Sequence, residues 1–275
     1  MKGQCFFPGL FWVLLLCLLP SPALAQSPGD LDSTFDGDGK VTTDFGGSGS
    51  STQSIGALAL QPDGKIVAAG TGYEDGSSHF ALARYQADGS LDPTFDGNGK
   101  VTTGLNPYTN VAVRALALQP DGKILVAGAG DGDNSDTINF ALIRYNADGS
   151  LDSSFGDEGK LIPGFDFFYL KTFILQPDGK IVVAGNPPYD SGTNDFTLVR
   201  YEANGSLDLT FGGDGKVTTD FGGTADVANA LALQPDGKLV AAGVRYEPLA
   251  LEPYKFALAR YNPDGNLDPS FDGDG

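Results

Sequence analysis

Four near-identical sentences in one chain restrict it to a fold in which one small unit stacks on copies of itself. Gln61-Pro62-Asp63-Gly64-Lys65 recurs unchanged at Gln119–Lys123, Gln176–Lys180 and Gln234–Lys238. Each copy is followed by a second phrase, Phe80-Ala81-Leu82-Ala83-Arg84-Tyr85 and its counterparts Phe140–Tyr145, Phe196–Tyr201 and Phe256–Tyr261. A third phrase, Leu-Asp-x-x-Phe, begins at Leu31, Leu91, Leu151, Leu207 and Leu267, at spacings of 60, 60, 56 and 60 residues. A period of this size is the mark of a repeat architecture. The repeat units run 31–90, 91–150, 151–206 and 207–266, with a partial fifth at 267–275.

Within the copy from Lys40 to Phe95, four runs have strand length and strand composition: Lys40–Thr43, Ala57–Leu60, Lys65–Gly70 and Phe80–Tyr85. Each is β-branched or apolar and is bounded by Gly, Pro, Asp or Ser. No stretch after residue 25 carries a capped 3.6-residue pattern, so helix is expected to be scarce. Pro62 presets the first turn position and Gly64 supplies the positive φ, which closes a tight hairpin between the second and third strands. Leu58 and Leu60 alternate with Ala57 and Ala59, and Phe80 and Leu82 with Ala81 and Ala83, so both faces of the sheet are apolar. Such a sheet lies between two others. The expectation is all-β: a propeller-like array of four-stranded antiparallel blades forming an incomplete ring. A β-solenoid ranks second, because its coils are usually shorter and more uniform.

Residues 1–25 stand outside this pattern. Lys2, the apolar run Leu10–Leu19 and the small-x-small Ala23-Leu24-Ala25 read as a secretory signal, which predicts a mature domain over 26–275 and a secreted or cell-surface location. A lipoprotein reading of Cys17 is weaker, since Leu16 sits where a small residue is needed. Both cysteines leave with the signal, so no disulfide framework or thiol chemistry remains. The whole chain holds 17 Lys and Arg against 35 Asp and Glu, a net charge of −18 that becomes −19 without Lys2. So acidic a surface repels nucleic acid and anionic lipid and suits cations or basic partners, or solubility alone. No second apolar run is long enough to cross a membrane.

The fixed polar positions have structural explanations. Arg84, Arg144, Arg200 and Arg260 each precede an acid by eight residues, Asp92, Asp152, Asp208 and Asp268. This predicts an Arg–carboxylate pair locking the loop after the fourth strand in every copy. Read together, these motifs resemble the delta-60 repeat proteins of bacteria. Ala-Leu-Gln-Pro-Asp-Gly-Lys-Ile-Val-Ala-Ala-Gly, Phe-Ala-Leu-Ala-Arg-Tyr and Asp-Gly-Ser-Leu-Asp-x-x-Phe-Asp-Gly-Asp-Gly-Lys-Val carry the resemblance over essentially the whole mature chain. It implies a propeller-like exported protein, and no catalytic residue can be carried over from it. The third copy departs from the pattern, with Lys160-Leu161-Ile162-Pro163 for Lys-Val-Thr-Thr and Thr172-Phe173-Ile174-Leu175 for the Ala-Leu pairs.

Chemistry has few other footholds. Asp36 with Asp38, Asp96 with Asn98, and Asp272 with Asp274 alternate oxygen donors through glycine loops, a pattern that suits Ca²⁺. The loops lack a closing Glu, two copies degrade to Gly156-Asp157-Glu158 and Gly212-Gly213-Asp214, and turn chemistry is the preferred reading. The acidic loop Asp131–Asp136 lacks the Glu as well. His79, the only histidine, lies in a polar loop and reads as solvated. No zinc spacing or phosphate loop is present. Asn204-Gly205-Ser206 is a glycosylation sequon that a bacterial source leaves idle.

The variable loops remain: 71–79, 129–139, 186–195 and 244–255, with 44–56, 104–114, 164–171 and 220–229. Both sets are expected on one face of the array. That face carries Tyr73, Tyr108, Phe165, Phe167, Phe168, Tyr169, Tyr189, Tyr246 and Tyr254, a candidate surface for a protein or glycan ligand. The reading is a non-catalytic binding or structural scaffold. A Ca²⁺-stabilised adhesion module and a propeller-type carbohydrate-active enzyme are the alternatives. The last copy stops in mid-motif at Gly275, which suggests a fragment of a longer array whose exposed terminal blade can self-associate.

Overall fold

A computed structural model describes residues 29–46, 53–74, 77–105, 110–131, 138–163, 169–186, 194–248, 250 and 252–275. Their regular elements are all strands. The first sheet pairs β1 (Ser54–Leu60), β2 (Ile66–Glu74), β3 (Ser77–Tyr85) and β4 (Lys100–Thr103) in that order. The second uses β5 (Asn110–Leu118), β6 (Ile124–Asp131), β7 (Ile138–Tyr145) and β8 (Lys160–Leu161). The third uses β9 (Tyr169–Leu175), β10 (Ile181–Asn186), β11 (Phe196–Tyr201) and β12 (Lys216–Thr219). The last has three strands, β13 (Ala225–Leu233), β14 (Leu239–Tyr246) and β15 (Tyr254–Tyr261). Neighbours pair antiparallel throughout. These are the blades of a propeller, and the array is open.

The blades are out of phase with the sequence repeat. Lys-Val-Thr-Thr was expected to open a blade, yet Lys100–Thr103 pairs with Phe80–Ala83 and closes the one before it. Lys40–Thr43 therefore stands as a fourth strand without three predecessors and pairs in no sheet. The stretch 220–229, from β12 into β13, accordingly connects neighbouring blades, where a strand-to-strand loop within a blade was expected. Turn chemistry behaves as the residues require. Gly64, Gly122, Gly179 and Gly237 have φ between 84° and 87°, and each donates its N–H to the glutamine three residues earlier.

The core lies between blades. The downstream face of blade 1 (Val67, Ala69, Phe80, Leu82) packs with Ile124, Val126, Ile143 and Tyr145 of blade 2. The same contact recurs between blades 2 and 3 and between blades 3 and 4. Its centre is a knob over a hole. A side chain added at Gly128 would collide with the Phe80 ring, and a Cβ at Gly243 would lie 2.9 Å from Phe196 Cζ. Glycine at these positions therefore lets the aromatic ring of one blade reach the backbone of the next. Interleaved blades bury both faces, which is why β11 is buried along its whole length.

A hydroxyl latch accompanies the contacts between blades 1 and 2 and between blades 3 and 4. Tyr145 Oη donates to Thr103 Oγ1 at 2.8 Å, and Tyr261 with Thr219 lie 2.7 Å apart. Both threonines end the outer strand of the preceding blade, and Thr43, 2.6 Å from Tyr85, ends the segment that corresponds to such a strand. Pro163 occupies that position in the third copy, β8 shrinks to two residues, and the buried Tyr201 hydroxyl has no partner among the described residues. Tyr145→Phe should therefore cost about 1 kcal/mol, whereas Tyr201→Phe should be neutral or stabilising. Urea unfolding of the two variants checks the difference.

Candidate functional site

Strand direction sorts the loops onto two ends. The first hairpin turn of every blade and the long connection from third to fourth strand lie at one end; the second hairpin and the inter-blade connection lie at the other. The first end is nearly invariant and the second carries the variation.

At the invariant end the predicted pairs form in all four copies. The Nε of Arg84, Arg144, Arg200 and Arg260 donates to Oδ2 of Asp92, Asp152, Asp208 and Asp268 at 2.6–2.7 Å. The lock is larger than the sequence spacing suggests. Lys65, Lys123, Lys180 and Lys238, the last residues of the Gln-Pro-Asp-Gly-Lys turns, reach the same Oδ2 atoms at 2.7–3.2 Å. Each guanidinium also sits 4.5–4.7 Å from the centre of a ring, Phe95, Phe155, Phe211 or Phe271. Three of them cross to the next blade. Arg84 and Arg144 donate to the carbonyls of Ala147 and Ala203, and Arg200 to Pro263 at 2.5 Å. Burial works against the ionised form of Asp92. The hydrogen bonds from Thr94 and Lys65 and the charge of Arg84 outweigh it and hold its carboxyl well below the usual range. Asp152 and Asp208 are held low by the same balance.

The carboxylates considered for Ca²⁺ lie in this connection. Asp36, Asp96 and Asp272 adopt φ of 48–53°, and Gly156 and Gly212 fill the same position with φ of 55° and 64°. The N–H of Asp36, Asp96, Gly156 and Gly212 donates to the next blade's turn at 2.6–2.9 Å. A left-handed backbone that accepts Asp or Gly explains the alternation. Asp38 and Asn98 accept the N–H of Lys40 and Lys100 through Oδ1. Asp274 lies in the same turn of the last copy.

The variable end is only partly described. Tyr108, Phe165, Phe167, Phe168 and Tyr189 lie outside the described residues, and Tyr169 begins β9. Tyr73 is half-buried near the end of β2. Tyr246 and Tyr254 face each other across β14 and β15 with ring centroids 4.8 Å apart, and Tyr254 is 69 % exposed.

This end also holds a group that the sequence reading passed over. One carboxylate oxygen from each of Asp195, Asp220 and Asp226 falls within 4.8 Å of the others, the one such cluster among the described residues. Asp195 precedes β11, Asp220 follows β12 and Asp226 lies in β13, so the cluster straddles blades 3 and 4. Asp226 is 1 % exposed. Its burial raises its carboxyl above the ordinary range, the N–H of Phe221 opposes the rise, and Asp220 and Asp195 add to it. Asp195 and Asp226 have no acidic counterpart in the other copies, so no motif announces the cluster.

The family model described as "Domain of unknown function (DUF5122) beta-propeller" matches residues 61–95, 119–155, 176–211 and 234–271, more than half of the chain. The chain belongs to that family. Its four matches cover the four first hairpin turns, the second hairpins and the four Arg–Asp locks. Among solved structures, the DUF5122 array is similar to a gluconolactonase from Xanthomonas campestris, with 13 % identity, TM-score 0.44 and coverage of 78 % of this chain and 60 % of the other. It is similar to an α-L-arabinofuranosidase from Fusarium graminearum, with 12 % identity, TM-score 0.48 and coverage of 77 % and 64 %. The propeller domain of the trilobed protease from Pyrococcus furiosus matches with 9 % identity, TM-score 0.45 and coverage of 79 % and 57 %. The chain thus spans less than two thirds of each of these structures. A search of curated protein sequences finds no match.

The depressed carboxylates set a pH dependence. Their folded pKa lies below the unfolded value of about 4, so their contribution is complete above that value and is lost as pH falls through it. Thermal unfolding should therefore show a plateau above about pH 5 and a steep fall below about pH 4. Asp92→Ala, which strands Arg84 and Lys65, should cost about 3 kcal/mol at neutral pH, read by urea unfolding.

Proposed function

We propose that this DUF5122 propeller is an exported, non-catalytic scaffold that presents its variable-loop end to an extracellular glycan. The observation that carries the reading is a division of labour between the two ends. At the invariant end a repeated Arg and Lys meet on one carboxylate oxygen in every copy, and three of the four arginines reach the next blade. At the other end the Tyr246–Tyr254 pair is bound to no repeated partner, and Arg245 and Glu247, 3.3 Å apart, flank it. An amphipathic ring surface bordered by charges and hydrogen-bonding groups suits the faces and hydroxyls of sugars. Export is supported by the signal-like residues 1–25.

A glycan array followed by calorimetry on the best hit tests the reading. Binding should fall at least tenfold in Tyr254→Ala and stay unchanged in Lys40→Ala, at the opposite end. Product release from the bound glycan would replace this reading with that of a hydrolase or lyase, and binding that survives the tyrosine change would remove the site.

A further inference from the structure

We propose that Asp195, Asp220 and Asp226 form a Ca²⁺ site that staples blade 3 to blade 4 at the variable end. The argument starts from two copies of one scaffold. In the first copy Gly46 N–H donates to Asp44 Oδ1 at 2.9 Å and Phe45 N–H to Gln53 Oε1 at 3.2 Å. In the last, Gly222 N–H donates to Asp220 Oδ1 at 2.5 Å and Phe221 N–H to Asp226 Oδ2 at 2.7 Å. Asp44 corresponds to Asp220 and Gln53 to Asp226. Gln53 completes its copy by donating Nε2 to Asp44 Oδ1 and Gly46 O, both at 2.8 Å. Asp226 replaces that amide nitrogen with an oxygen. Its Oδ1 is buried without a hydrogen-bond partner, so a donor has been exchanged for an acceptor.

A third carboxylate, Asp195, enters where other copies place His79 or Lys255. Something positive must stand where the amide stood. Arg245 is the cation whose charge reaches Asp226, but its Nη2 donates to Gly222 O at 3.1 Å and pairs with Glu247, and its buried Nε bonds no atom of the described residues, Asp226 Oδ1 included. Three carboxylate oxygens within 4.8 Å match the span of about 5 Å across a Ca²⁺ ion ligated at 2.3–2.6 Å. Asp195 and Asp220 come from blade 3 and Asp226 from blade 4, so the ion would bridge the two.

Calorimetry and thermal unfolding with CaCl₂ after EDTA treatment test the site, with MgCl₂ as control. One Ca²⁺ should bind per chain and raise Tm by several degrees at millimolar concentration. Asp226→Gln, which rebuilds the Gln53 arrangement, should unfold no lower than the metal-free parent and ignore Ca²⁺. Absence of a Ca²⁺ response, an equal response in Asp226→Gln, or a preference for Mg²⁺ overturns the assignment. If Asp226→Gln unfolds lower than the metal-free parent, Arg245 already neutralises the acid and the proposal fails. Glycan binding is read separately, so either proposal can fail alone.

Discussion

Everything in this array hangs on one carboxylate per blade that two cations share. Asp92 receives Arg84 and Lys65 on a single oxygen, while its other oxygen accepts Thr94. The lysine belongs to the first hairpin turn, the arginine to the third strand and the aspartate to the connection that follows. Three distant parts of the repeat are thereby held at one point. A buried ion pair by itself is a weak source of stability, because the desolvation of both charges offsets the attraction. Here the guanidinium also covers a phenyl ring and reaches the next blade's carbonyl, so few of its polar atoms are left unsatisfied. The lock consequently fixes geometry within a blade and the stacking between blades.

That stacking explains why the strands are apolar on both faces. A blade with a single covered face would alternate, as β15 does at the end of the array, where Phe256 and Leu258 are exposed and Ala257 and Ala259 are buried. Internal blades cannot alternate, because each serves as both knob and hole. Glycine at the hole is therefore a packing requirement between copies, distinct from the turn glycines that need positive φ.

Turn chemistry, strand composition and the Arg-to-Asp spacing were legible in the sequence because each is a local relation repeated four times. The phase of the blade was not. Lys-Val-Thr-Thr is equally β-prone whether it opens a sheet or closes one, and only pairing across the 14-residue connection 86–99 decides between them. The lysine's share in the lock was hidden for a similar reason: a turn residue reads as a turn until the third dimension brings Asp92 to it. The Asp195–Asp220–Asp226 cluster was invisible because two of its members, Asp195 and Asp226, are single-copy departures that only the fold brings to Asp220. Repetition reveals what the scaffold needs and conceals what one position alone does.

Departures from a repeat are therefore where the array differs from its own average, and two of them have opposite character. Pro163 in place of threonine removes a partner and leaves Tyr201, in the next blade, with a hydroxyl unmet among the described residues, while the outer strand of blade 2 has shortened. The change reads as a tolerated defect. Asp226 in place of glutamine also leaves an atom unmet, yet the surrounding hydrogen bonds of Asp220 and Phe221 are retained and two further acids converge on the same point. Drift that merely damages a site relaxes its neighbours. A preserved frame with an added charge deficit keeps a place for a cation, and its position between two blades gives such a cation a mechanical role at the end of the molecule where the repeat leaves the loops free to vary.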